Sequence, residues 1–250
     1  MRGHTEDNGS SWVRGLAFTP DGTMLASTGA DGTLRFWDVG TRRQIGLPVT
    51  GVHGSTLAFA PDGATLAAGM DDGTVRQWDR RTRREKTPPM RGHIDAVTHL
   101  AFTMDGSVLA SASNDRTIRL WDLRTGRQKD QPLVGHTHAV WTVSFSPDGR
   151  LLASAGRDST IRLWDVATRR QLGRPLTGHD QDASGIAFTP DGRTLVSTGY
   201  DATIRLWDVN LPPDLEAGVC ALAQRAITRE EWNLYVPGEP YEPICAPSVP

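Results

Sequence analysis

The dipeptide Trp-Asp recurs five times, at Trp37-Asp38, Trp78-Asp79, Trp121-Asp122, Trp164-Asp165 and Trp207-Asp208, with spacings of 41, 43, 43 and 43 residues. A period of this size marks an array of one repeated supersecondary unit, which narrows the fold more than any property of composition. Two further marks keep step with it. The first is a turn, at Pro20-Asp21-Gly22, Pro61-Asp62-Gly63, Met104-Asp105-Gly106, Pro147-Asp148-Gly149 and Pro190-Asp191-Gly192. The second is Gly-His, at Gly3-His4, Gly92-His93, Gly135-His136 and Gly178-His179, with a damaged copy between Gly51 and His53.

Each unit reads as short strands between turns. In the fourth, Val140 to Phe145 alternates as a first strand, and Leu151 to Ala155 is a second. Between them, Pro147 presets φ and Gly149 accepts φ > 0, the residues a tight turn requires. Thr160 to Asp165 is a third strand, and Gln171 to Leu176 a weaker, polar fourth. A sheet of four such strands cannot bury both faces alone. Stacking it radially on like neighbours does so, which predicts an all-β propeller.

These marks resemble the WD40 repeat family, from about Gly3 to Val209. The resemblance implies a buried hydrogen-bonded tetrad in each blade, running from the Gly-His histidine to a serine or threonine of the second strand, to the aspartate of the following turn, to the tryptophan. The matching residues are His4, Ser27, Asp31 and Trp37 in the first unit and His93, Ser111, Asp115 and Trp121 in the third. They are His136, Ser154, Asp158 and Trp164 in the fourth, and His179, Ser197, Asp201 and Trp207 in the fifth. The first unit carries five extra residues after its histidine. The second departs, with Ala68 in place of the serine and a shortened loop around His53, so its tetrad cannot close and its blade is expected to be the weakest. Residues His, Ser and Asp together mimic a hydrolase triad. An active site does not recur in every unit of an array, so these residues are read as structural.

Most familiar enzyme signatures are missing from the sequence. Only two lysines, Lys86 and Lys129, stand among many arginines, and neither follows a glycine, so no phosphate-binding Walker loop exists. The chain also lacks Gly-x-Gly, Gly-x-Ser-x-Gly and His-Glu-x-x-His. The arginine bias fits a GC-rich genome. Cys220 and Cys245 form no metal-binding set, and a pairing between them conflicts with a reducing compartment. No metal or cofactor is expected. The net charge of −2 gives no reason to expect nucleic acid, and no apolar run is long enough to span a membrane. Met1 to Ser11 lacks the apolar core of a secretory signal, so a cytoplasmic location is expected.

Residues 1–210 are thus read as propeller repeats, with units at about 3–40, 51–80, 92–123, 135–166 and 178–209. Fourth strands fall at 41–50, 84–91, 127–134 and 170–177, and the fifth unit has none. Either five blades make a small ring with an imperfect seam, or the chain is the C-terminal piece of a longer propeller. An open ring would expose blade faces and favour dimerisation. Residues 211–250 are read as a tail of two short helices and a proline-rich end. Asp214 caps the first, with Leu215, Val219 and Leu222 on one face, and Thr228 and Glu231 form a capping box for the second. The tail is expected to cover the last blade. It also resembles a segment that follows bacterial WD-repeat arrays in large signalling proteins.

The resemblance places partner contacts at the loops entering each first strand and preceding each tetrad aspartate. Those positions carry Trp12, Arg14, Trp141, Arg157 and Tyr200. Aromatics and arginines are enriched at interface hot spots because they bury much area and keep a polar handle. The expected function is a non-catalytic scaffold for a protein or peptide. The alternative is a truncated sensor segment of a bacterial signalling NTPase or kinase. The arginine pairs Arg42-Arg43, Arg80-Arg81, Arg83-Arg84 and Arg169-Arg170 are read as solvated turns on one rim, with an anionic partner as the lesser alternative. His99 and His138 are read as packing or solvated residues.

Overall fold

A computed structural model describes residues 3–4 and 12–209 of the chain; the side chain of Thr87 is excepted. Five antiparallel sheets follow one another along the sequence, each a propeller blade. Blade 1 is β1 (Val13–Phe18), β2 (Met24–Gly29), β3 (Thr33–Asp38) and β4 (Val49–Thr50). Blade 2 is β5 (Gly54–Phe59), β6 (Thr65–Met70), β7 (Val75–Asp79) and β8 (Glu85–Met90). Blade 3 is β9 (Val97–Phe102), β10 (Val108–Ser113) and β11 (Thr117–Asp122), with an outer strand broken into β12 (Arg127–Gln128) and β13 (Leu133–Val134). Blade 4 is β14 (Val140–Phe145), β15 (Leu151–Gly156), β16 (Ile161–Asp165) and β17 (Gln171–Leu176). Blade 5 is β18 (Ala183–Phe188), β19 (Thr194–Gly199) and β20 (Ile204–Asp208), and its sheet has three strands among the described residues. The tail at 211–250, with its expected helices and with Cys220 and Cys245, lies outside the described residues.

The turns form where the sequence supplies the right φ. Gly22, Gly63, Gly106, Gly149 and Gly192 close the β-turns of the five Asp-Gly marks with φ near +70°. In each, the aspartate accepts from the backbone N–H two residues on, as Asp21 does from Thr23 at 3.0 Å.

Packing runs from each blade to the next. Leu34 and Phe36 of β3 cluster with Leu57, Leu66 and Trp78 of blade 2. Val75 of β7 joins Val97, Leu100, Leu109 and Trp121 of blade 3. Ile118 and Leu120 of β11 join Val140, Val143, Leu152 and Trp164 of blade 4. Ile161 and Leu163 of β16 join Ala183 and Leu195 of blade 5. The recurring joint therefore sets the third-strand apolar residues of one blade against the first and second strands of the next. Burying one such side chain contributes about 1.5–3 kcal/mol, so the joints and not the sheets alone hold the array together.

The two ends of this series lack a neighbour among the described residues. Ile204 and Leu206 of β20 are each 72% exposed, whereas their counterparts Ile118 and Leu120 are buried. Val13, Leu16 and Phe18 of β1 are 51–59% exposed, whereas Val97 and Leu100 at the same positions of β9 are buried.

Candidate interaction face

Inside the blades the polar groups form directed chains. In blade 4, the Trp164 indole N–H donates to Ser154 Oγ at 2.9 Å. Ser154 Oγ lies 2.8 Å from His136 Nε2, and His136 Nδ1 lies 2.9 Å from Asp158. One tautomer satisfies every group: the hydroxyl accepts from the indole and donates to Nε2, and Nδ1–H donates to the carboxylate. The same chain joins Trp37, Ser27, His4 and Asp31 in blade 1 and Trp121, Ser111, His93 and Asp115 in blade 3. It joins Trp207, Ser197, His179 and Asp201 in blade 5. The aspartate thus sits at the far end of the chain from the tryptophan, bonded to the histidine. The sequence reading had placed it between serine and tryptophan.

A fifth group belongs to each chain, and sequence reading missed it. Thr33, Thr117, Thr160 and Thr203 donate their hydroxyls to the tetrad aspartates at 2.7–2.8 Å, and Thr74 does so to Asp72. The signal was present as Asp-x-Thr in all five units. Burial alone would raise the Asp31 carboxyl, but the donors from His4 and Thr33 outweigh it and hold the pKa at about 2. Asp115, Asp158 and Asp201 are held lower still by the same donors. These carboxylates are consumed by structural bonds, and the histidine side chains are buried beside them. The serines and histidines of these tetrads therefore have no open face from which to meet a substrate.

Blade 2 differs as its sequence implies. Trp78 is fully buried, and its indole N–H has no partner, because Ala68 stands where the others hold serine. His53 is exposed, outside any such chain.

The first strands share a register shift that the sequence did not reveal. In β1, β5, β9, β14 and β18 the pairing skips the second residue, which is Arg14, Ser55, Thr98, Trp141 and Ser184 in turn. Such a bulge frees the residue from the ladder and re-aims its side chain. In blades 1 to 4 that side chain reaches the following blade. Arg14 pairs with Asp71 at 2.9 Å, Ser55 Oγ donates to the Val97 carbonyl at 3.2 Å, and Thr98 Oγ1 donates to the Val140 carbonyl at 2.5 Å. Trp141 meets Tyr200 edge to face, with centroids 5.5 Å apart and planes at 70°.

The last contact builds an aromatic surface at the edge of blades 4 and 5. Arg157, just before Asp158, lies over the Trp141 ring at 5.9 Å and ion-pairs with Asp182 of blade 5 at 3.5 Å. Tyr200 is 64% exposed, and the Arg157 side chain is also exposed. Three of the five residues named from sequence therefore meet at the rim between blades 4 and 5. Trp12, 75% exposed, and Arg14 stand apart on blade 1. Trp141 is half-buried, so it both packs between blades and lines the surface.

The arginine-rich turns are tied between blades. Arg80 bonds Asp21, Arg83 donates to the Ile45 carbonyl and Arg169 pairs with Asp130, at 2.8–3.1 Å. Each joins one blade to its predecessor. His138 is exposed, and His99 is half-buried with its Nδ1 accepting weakly from the Val143 N–H at 3.4 Å. Among the described residues no cluster of metal-ligating side chains occurs, and no helix is long and apolar enough to cross a membrane.

A blade array with Trp-Ser-His-Asp chains defines a class of repeat protein that works through its surface. The family described as WD domain, G-beta repeat matches residues 1–38, 48–79, 84–122, 127–165 and 170–208, and the chain belongs to this family. Members act generally as interaction modules for proteins or peptides. A short stretch is similar to the Antiviral protein SKI8 of Saccharomyces cerevisiae, 56% identical over 36 residues. That match covers 14% of this chain and 9% of the yeast protein.

Proposed function

We infer that this protein is a non-catalytic scaffold that presents a propeller face to a protein or peptide partner. The observation that carries this reading is the cluster of Trp141, Tyr200 and Arg157. An edge-to-face aromatic pair with a guanidinium over it offers a rigid apolar surface with a fixed donor, at little cost in side-chain entropy. In four blades the second-strand serine, tetrad histidine and aspartate are already bonded to one another, so among the described residues the rim offers better-presented chemistry than the tetrads. Trp12 and Arg14 extend the same face on blade 1.

The reading is tested by comparing partner capture from the source cells with wild type, Trp141→Ala and Tyr200→Ala. Both variants should stay folded, melting slightly below wild type for loss of the Trp141–Tyr200 contact, and lose partners that wild type retains. Retention of every partner by both would refute the assignment. Trp164→Ala, which removes a buried indole and leaves Ser154 short of a donor, should unfold the protein.

A further inference from the structure

His99 is the one histidine that the five first strands carry. The residues at its place in β1, β5, β14 and β18 are Gly15, Thr56, Thr142 and Gly185. Its Nδ1 accepts from the backbone N–H of Val143 in the next blade, at 3.4 Å. Its neighbour Thr98 donates to the Val140 carbonyl of the same strand, at 2.5 Å. The two side-chain bonds that β9 sends to β14 thus fall on either side of Trp141. Trp141 is itself skipped by the ladder, which pairs Val140 with Gly156 and Thr142 with Ala155. Its place therefore depends on how the backbone is held on each side of it.

We propose that His99 is a pH-sensitive positioning residue for Trp141: the neutral ring holds β14 behind the aromatic pair, and protonation releases it. The consequence for binding rests on the reading that Trp141, Tyr200 and Arg157 meet the partner. The hold on Trp141 does not.

A neutral imidazole has one nitrogen free to accept, and a charged one has none. Protonation turns Nδ1 into a donor that faces the Val143 N–H. Rotating the ring offers no relief, because both nitrogens then carry protons. No carboxylate stands by to take the charge. The strands packed most closely against β9 are β5, β6, β10 and β14, and none contains a titratable side chain. Asp95 lies in the loop before β9 and His138 in the loop before β14. Trp141 in turn faces Tyr200 and Arg157, and Arg157 is paired with Asp182. Burial pushes the His99 imidazole below the ordinary histidine value of 6.5. A histidine kept neutral in this way contributes stability that is full above the unfolded value and is lost as pH falls through the folded one.

The test is a pH titration of the isotope-labelled protein by NMR, from about pH 8 to about pH 5. It follows the Val143 amide and the Trp141 indole N–H, the indole being the one that Trp141→Phe removes. In wild type both resonances should move with one shared midpoint below pH 6.5. His99→Gln keeps a neutral acceptor and cannot titrate, so that movement should be lost. His138→Gln should retain it. A Val143 amide that stays still in wild type, or a Trp141 indole that moves equally in His99→Gln, would overturn the proposal. Loss of the movement in His138→Gln would overturn it too, by assigning the titration to the other histidine. His99→Thr, which places there the residue of β5 and β14, provides a second non-titrating variant should the amide disturb folding. Partner capture from the source cells at about pH 7.5 and about pH 5.5 adds the link to binding. Wild type should release at the lower pH what His99→Gln retains, and equal release from both would break that link. If Trp141→Ala also retains every partner, the binding-face reading fails, while the two resonances still decide the hold on Trp141.

Discussion

Trp78 and Ala68 lie fully buried in adjacent strands of blade 2, and the indole N–H of Trp78 has no hydrogen-bond partner where the other four blades hold a serine hydroxyl. A buried donor left unpaired costs about 1–3 kcal/mol. The blade tolerates this because Trp78 is also packed into the joint with Leu34, Phe36 and Leu57.

Restoring the acceptor should recover part of that cost. Ala68→Ser is expected to raise stability by about 1 kcal/mol, read as a higher denaturant midpoint at unchanged slope. The gain is partial because blade 2 has no tetrad histidine to accept from the new hydroxyl. Ser154→Ala makes the opposite change. It strands both the Trp164 indole and His136 Nε2, and should cost about 2–4 kcal/mol. An Ala68→Ser protein less stable than wild type would show that the pocket beside Trp78 cannot hold a hydroxyl.

Stability should fall steeply on the acid side. The tetrad aspartates have folded pKa values below the ordinary 3.8, with Asp31 at about 2. A depressed carboxyl contributes stability above its unfolded pKa, and that contribution is lost as pH falls through the folded value. Unfolding free energy should therefore drop progressively from about pH 4 towards pH 2. Asp158→Asn should be less stable than wild type at pH 7 and flatter across that range. An equal slope in the variant would place the acid sensitivity elsewhere.

The arginine turns hold a small reserve of strain. Arg42, Arg83 and Arg169 adopt φ of +57° to +60° at the turn after the third strand, where blade 3 has Gly126 at +68°. A side chain in this region costs roughly 1 kcal/mol that glycine does not. Arg42→Gly should leave stability unchanged or raise it by up to about 1 kcal/mol, because Arg42 is exposed and glycine also loses more chain entropy on folding. Arg42→Val should lower it, since a β-branched residue suits positive φ least. Thermal melting of the pair decides the sign.

Much of this architecture could be read before any coordinates. The tryptophan-aspartate period and the Asp-Gly turns locate the strands because turn chemistry is local. What escaped was relational. The bulge that turns Arg14 and Trp141 towards the next blade is a property of register, and no residue type marks it: arginine, serine, threonine and tryptophan all occupy the site. The direction of the Trp-Ser-His-Asp chain also depends on geometry, because spacing alone does not say which neighbours touch. The threonines bonded to the aspartates were legible as Asp-x-Thr, but they look like ordinary strand residues until their hydroxyls are seen. The meeting of Trp141 with Tyr200 needed two residues 59 positions apart in sequence.

The scaffold reading is tested most directly by where a partner touches the molecule. A photo-crosslinking amino acid placed at Tyr200 should capture partner protein in the source cells. The same group at Leu47, which is 87% exposed in the loop before β4, should capture none. Adducts at Leu47 equal to those at Tyr200, or at neither site, would contradict a binding face between blades 4 and 5.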